Sequence, residues 1–258
     1  MTMRVNPFLQ EGVRTYFAHP GILRTYFYLP AGLAIVLVVV WPRGGLESIL
    51  RSGPLTDAFS VVAIVFLGLL LYFGGRYGAE DFSPDTMVQL REYVTLTPVP
   101  LVSVILGKAG FFFLHTFFLL LLGAPFLLAP VAVGGLSLSK AFAAFAVLGT
   151  ASLAARMFGL FVLSLIGGRP LLRNVILLPG ILLFVVVTLV AFPPLSPIHA
   201  LLRLGSTPTA DASAGGAFMS ATAASSLVGI GAALVAAAGV YLVLRVSRGA
   251  RGGSATNG

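Results

Sequence analysis

The sequence contains no cysteine, which excludes both a disulfide framework and a thiolate metal site. Carboxylates are nearly as scarce. Glu11, Glu47, Asp57, Glu80, Asp81, Asp85, Glu92 and Asp211 are all of them, and each falls in a loop or near the end of an apolar run. A metal site needs clustered ligands, whereas His19, His115 and His199 are scattered along the chain. Spacing suggests no nucleophile–base arrangement. A phosphate-cradling loop is also missing: Gly107-Lys108 is followed by Ala109 and lacks the preceding glycine. The chain is therefore not expected to hydrolyse ATP. Proton and sodium relays commonly use carboxylates inside the membrane, so an ion-coupled carrier is also disfavoured.

Charge as a whole is depleted. Only 9% of residues are charged and 58% are hydrophobic, against about a quarter charged in soluble domains. The apolar residues gather into runs close to the length that crosses a hydrocarbon core of about 30 Å. Six spans are expected, Tyr28–Trp41, Phe59–Gly75, Val102–Leu128, Ala141–Gly167, Val175–Phe192 and Met219–Val246. The first is short unless Leu23–Phe27 is included. Met1–Gly21 lacks a small-residue cleavage site after a greasy core, so no cleavable signal is expected. The fold class is an all-α membrane protein. Its expected parts are an N-terminal segment over 1–22, a six-helix domain over 23–246 and a disordered tail over 247–258.

The net charge of +8 would suggest nucleic acid in a soluble protein; here it reads as topology, with no nucleic-acid partner expected. Cationic loops lie on the cytoplasmic side. With both termini inside, Arg4, Arg14, Arg24, Arg76, Arg91, Lys108, Arg169, Arg173, Arg245, Arg248 and Arg251 are cytoplasmic. Arg43, Arg51, Lys140 and Arg203 are outside, a ratio of eleven to four. Arg156 is left inside a span.

Residues Asn6–Ala18 predict a short amphipathic helix, with Asn6 as cap and Pro7 at its first position, lying in the membrane interface. The longest polar interruption is Ser83–Lys108. Ser83-Pro84-Asp85 reads as cap, first-position proline and an acid suited to the helix dipole. Met87, Leu90 and Val94 form an apolar edge, and Thr97-Pro98-Val99-Pro100 ends the helix. Residues Pro193–Gly205 can hold a small outer helix, and Thr207–Gly216 reads as a loop. In the last span, Ala221, Ser225, Gly229, Ala233 and Ala237 recur every four residues, a spacing that permits close helix approach inside the subunit or at a dimer seam.

His115 and Arg156 are each about eleven residues from the inner ends of spans three and four, on the order of 16 Å deep. Polar groups at that depth face a cavity or the bundle interior. Two readings stand: a contact for a polar or anionic substrate group, or structural roles as a neutral packed imidazole and a carbonyl-bonded arginine. Lys108 is expected to reach the inner surface and anchor span three among headgroups.

Gln89–Lys108 reads Q-L-R-E-Y-V-T-L-T-P-V-P-L-V-S-V-I-L-G-K. This resembles the permease subunits of type-2 (exporter) ABC transporters, whose segment between spans two and three runs approximately G-T-L-E-L-L-L-S-T-P-V-S-x-x-E-I-x-L-G-K. Glu92, Thr97-Pro98-Val99 and Leu106-Gly107-Lys108 fall on the matching family positions. Gln89-Leu90, Pro100 and Ser103 depart from the pattern. Pro194–His199 is similar to the family's outer segment before the last span, and Asn6–Ala18 to its elbow helix. The resemblance implies two permease copies or homologues in a bilayer, driven by two cytosolic ABC ATP-binding subunits that bind ATP and Mg; no cofactor is expected in this chain. Ser83–Pro98 would be the coupling helix, with Asp85, Met87, Leu90, Arg91, Glu92, Val94, Thr97 and Pro98 as the ATPase contacts. The location implied is a prokaryotic inner membrane, with both termini cytoplasmic. The alternatives are an ion-coupled secondary carrier and a membrane-embedded lipid-modifying enzyme.

Overall fold

The computed structural model describes residues 6–18, 20–43, 55–79, 94, 99–134, 136–166, 170–206 and 212–254. Among these, the elements are α1 (Pro7–Ala18), α2 (Pro20–Val40), α3 (Leu55–Gly78), α4 (Leu101–Gly134), α5 (Leu138–Ile166), α6 (Pro170–Ala191), a 3-10 turn (Pro193–Leu195), α7 (Pro197–Ser206) and α8 (Ala212–Ser254). No strand occurs among them. Among the described residues, five stretches are long and apolar enough to cross a membrane: Leu23–Val40, Leu55–Gly78, Leu101–Gly134, Leu138–Ile166 and Ala221–Arg248. Val175–Ala191 of α6 is a shorter apolar helix. The outward faces are apolar: Val38 is 76%, Phe142 71% and Val190 75% exposed. A surface of that kind belongs in lipid, where such side chains need no water.

Helix α1 starts where its cap chemistry dictates. Asn6 Oδ1 accepts the Phe8 N–H at 3.0 Å, the geometry of an N-cap side chain satisfying the second helical amide. The first span begins earlier than expected, because α2 enters at Pro20 and its apolar stretch at Leu23.

Helix α5 is the hub. It packs on α3, α4, α6, α7 and α8, most extensively on α8 and α3. Both large seams rest on small residues. A methyl group at Gly229 of α8 would sit 3.0 Å from the Thr150 backbone, so glycine there lets the seam close without a shift of either helix. The four-residue stripe of α8 thus faces α5 within the subunit: Ala221, Ser225 and Ala233 are 5%, 4% and 7% exposed. On the other side, a Cβ at Gly78 of α3 would strike the Arg156 carbonyl oxygen, and one at Gly159 of α5 would strike Gly75. The two backbones are in contact where Arg156 emerges, an approach that glycine alone permits.

Two sequence expectations are corrected. Ala212–Gly216, read as loop, is helical, and the expected loose tail is helical from Ser247 to Ser254. Both stretches extend a helix already nucleated by its apolar centre, and adding residues to an existing helix is far easier than starting one. The expected coupling helix, Ser83–Pro98, lies outside the described residues except for Val94, and so does His19.

Candidate functional site

Two polar constellations interrupt the apolar bundle. The first sits at the end of the bundle where α1 lies and α4 begins. Arg248 of α8 donates from Nη2 to the carbonyl oxygens of Val94 (2.8 Å) and Val99 (2.8 Å), and from Nε to Val94 O (3.2 Å). The two acceptors bracket Thr97-Pro98. Pro98 has no N–H with which to bond the Val94 carbonyl four residues before it. A planar guanidinium fork meets that geometry. Val94 itself is 1% exposed.

On the opposite flank of the same segment, Asn6 Nδ2 donates to Ser103 O at 2.9 Å. A Cβ at Gly107 would come within 2.7 Å of Asn6 Oδ1 and Phe8 Cβ. Glycine at that position lets α1 lie directly on the first turns of α4. Asn6 therefore caps α1 with its oxygen and ties it to α4 with its nitrogen. Lys108, the next residue, is only 2% exposed. It is enclosed by protein rather than spread among headgroups, unlike the expected anchor.

The second constellation lies deeper. Arg156 Nη1 is 3.0 Å from His115 Nδ1, and His115 Nε2 is 3.1 Å from Tyr26 Oη. A guanidinium only donates, so His115 Nδ1 is the acceptor and the ring proton sits on Nε2, facing Tyr26. Helices α2, α4 and α5 are linked through one imidazole. Phe111 stacks on that ring with centroids 5.6 Å apart, and Tyr77 lies 5.7 Å away. Tyr77 in turn hydrogen-bonds Thr25, which connects α3 to α2. The Phe112 ring centroid is 6.0 Å from Arg156 Cζ, at the outer range of a cation–π contact.

His115 and Arg156 are both 0% exposed. Neither lines the cavity of about 670 Å³ between α5, α6 and α8, nor that of about 220 Å³ between α4 and α5. The two side chains are enclosed and bonded to each other. The pairing was half legible: equal depth on adjacent spans was visible in the sequence, but the rotation that turns each toward the other was not. Arg248 and Asn6 as cross-links were missed, since an arginine at a span end reads simply as a topology signal.

Of the expected ATPase contacts, the structure places Val94, buried beneath Arg248. Asp85, Met87, Leu90, Arg91, Glu92, Thr97 and Pro98 lie outside the described residues. No family model matches the chain, and no curated protein or solved structure matches it.

Proposed function

We propose that this chain is the membrane permease subunit of an ATP-driven ABC exporter of the type-2 family. In this reading α2 to α6 and α8 are six spans, with α6 the shortest, and α1 is the interfacial elbow. The segment Ser83–Pro98 is a coupling helix gripped by a separate ATP-binding subunit, which holds ATP and Mg. A second permease copy or homologue completes the pathway, in a prokaryotic inner membrane with both termini cytoplasmic.

The observation that carries the reading is the Arg248 bridge to Val94 and Val99. A handle is useful only if its motion reaches the spans, and here the chain on both sides of Thr97-Pro98 is bonded to the last membrane helix. Asn6 ties the continuation of that segment to α1. A push on the segment would thus move α8, α4 and α1 together, and α8 carries its large seam with α5. The sequence supports the same reading through T-P-V and L-G-K at the family spacing.

The test is co-purification of the tagged chain from its native membrane, followed by ATPase measurement of the captured material. An ATP-binding protein should accompany the chain, and its hydrolysis should depend on it. Capture without such a protein, and no stimulation on adding one encoded beside it, would overturn the proposal.

A further inference from the structure

The cleft of about 670 Å³ between α6 and α8 has the construction of a lipid site. Its floor is α5. Phe158 and Phe161 rise from that floor, Phe184 forms the α6 wall, and Val235 and Leu242 form the α8 wall. No charged or hydrogen-bonding side chain lines it. Helices α6 and α8 each pack on α5 and make no comparable contact with each other. The cleft therefore opens sideways, past Val235 and Leu242, which are 74% and 58% exposed. A ligand reaching it comes from the hydrocarbon.

The charge at one end says which hydrocarbon-borne ligand. Gly239 of α8 lies against Phe161, and Gly180 of α6 lies against Phe158. With Gly229 against Thr150 and Gly239 against Phe161, α8 runs parallel to α5; α6 starts four residues after α5 ends and packs back on it, antiparallel, so the end of α8 and the start of α6 share one side of the membrane. Arg245, exposed, stands three residues beyond Leu242, about 4.5 Å along the helix axis. Arg173 occupies the first turn of α6 at the same side, where the helix N-terminus adds partial positive charge. No acidic residue occurs between Glu92 and Asp211, and none follows Asp211. Helices α5, α6 and α8 are free of negative charge, and α3, which adds Leu71 to the lining, carries only Asp57, in its first turn. Basic residues between membrane helices attract anionic lipid headgroups.

We infer that the α6–α8 cleft binds one anionic membrane phospholipid, with an acyl chain against Phe158, Phe161 and Phe184 and the phosphate near Arg245, at the end where α6 begins. The inference stands apart from ATP-driven transport, because it needs only the cleft and its basic rim. Its test needs no ATPase, so either idea can fail alone.

Native mass spectrometry of the full chain, released from detergent after titration with phosphatidylglycerol or phosphatidylcholine, reads the site directly. One phosphatidylglycerol should be retained in preference to phosphatidylcholine. Arg245→Gln should weaken its retention about fivefold, the usual contribution of one cation near a charged lipid. Ala238→Trp, placed on an exposed position of the cleft wall, should abolish it. The Arg245→Gln arm stands alone should the tryptophan variant fail to fold. Equal retention of both lipids, or unchanged retention in Arg245→Gln, would overturn the proposal. So would a change of oligomeric state in Ala238→Trp with lipid retention intact, which would give the cleft to a second copy.

Discussion

Arg156 Nη1 donates to His115 Nδ1 across 3.0 Å inside the bundle, with both side chains fully enclosed. A guanidinium placed there is tolerated only while its partners stay in position. A hydrogen bond to a charged group contributes about 1.5–3 kcal/mol and a buried donor left unsatisfied costs its desolvation, whereas replacing both partners with apolar groups of similar shape can be nearly neutral. His115→Ala and Arg156→Gln should each lower the melting temperature in detergent. The double variant His115→Phe/Arg156→Met should recover most of the loss. Two single variants as stable as the native chain would show that the bond contributes nothing.

The glycines on the α3–α5 seam supply a sharper contrast. Gly78→Ala drives a methyl group into the Arg156 carbonyl, and overpacking of this kind costs about 1–3 kcal/mol. Gly68→Ala and Gly231→Ala meet nothing within 4 Å, so helix propensity alone acts and each should gain about 0.5–1 kcal/mol. Thermal unfolding of the three variants side by side checks the prediction. Equal stability of Gly78→Ala and Gly68→Ala would contradict the backbone contact.

Arg248→Gln should free the chain around Thr97-Pro98. Hydrogen exchange of residues 99–104 should rise, since hydrogen bonds from a charged donor are worth about 1.5–3 kcal/mol. Arg248→Lys should restore only part of the protection, because an ammonium keeps the charge but has no counterpart to Nε, the second donor to Val94 O. Unchanged exchange in both variants would show that the segment is held by other means.

The coupling proposal makes its own prediction. Glu92→Ala, or Met87 and Leu90 changed together to Ser, should leave the spans folded and ATP hydrolysis detectable while transport falls. Transport at the native rate in both variants would remove the handle from the account.

Much of the fold was readable because it rests on short-range rules. The Asn6 cap and the proline after it specify where α1 begins, and runs of Leu, Val and Phe mark the membrane helices without reference to partners. The ends of α8 were misjudged for a related reason. Glycine, serine and alanine read as loop in isolation, but they continue a helix whose long apolar centre already exists.

What the sequence determined by itself is the solvent and the list of chemistries left out: an apolar chain with no cysteine, no phosphate loop and carboxylates only at its margins. Which polar groups meet was decided by tertiary structure. The depth of His115 and Arg156 follows from counting residues along a helix. Their contact depends on how α4 and α5 are rotated about their axes, and close approach at Gly78, Gly159 and Gly229 sets the helix packing in which they meet. The same packing sends the small-residue stripe of α8 to α5, brings Arg248 over Val94 and Val99, and leaves α6 and α8 apart. Spacing along one helix carries no information about the angle of the next, so only the assembled bundle could show these pairings.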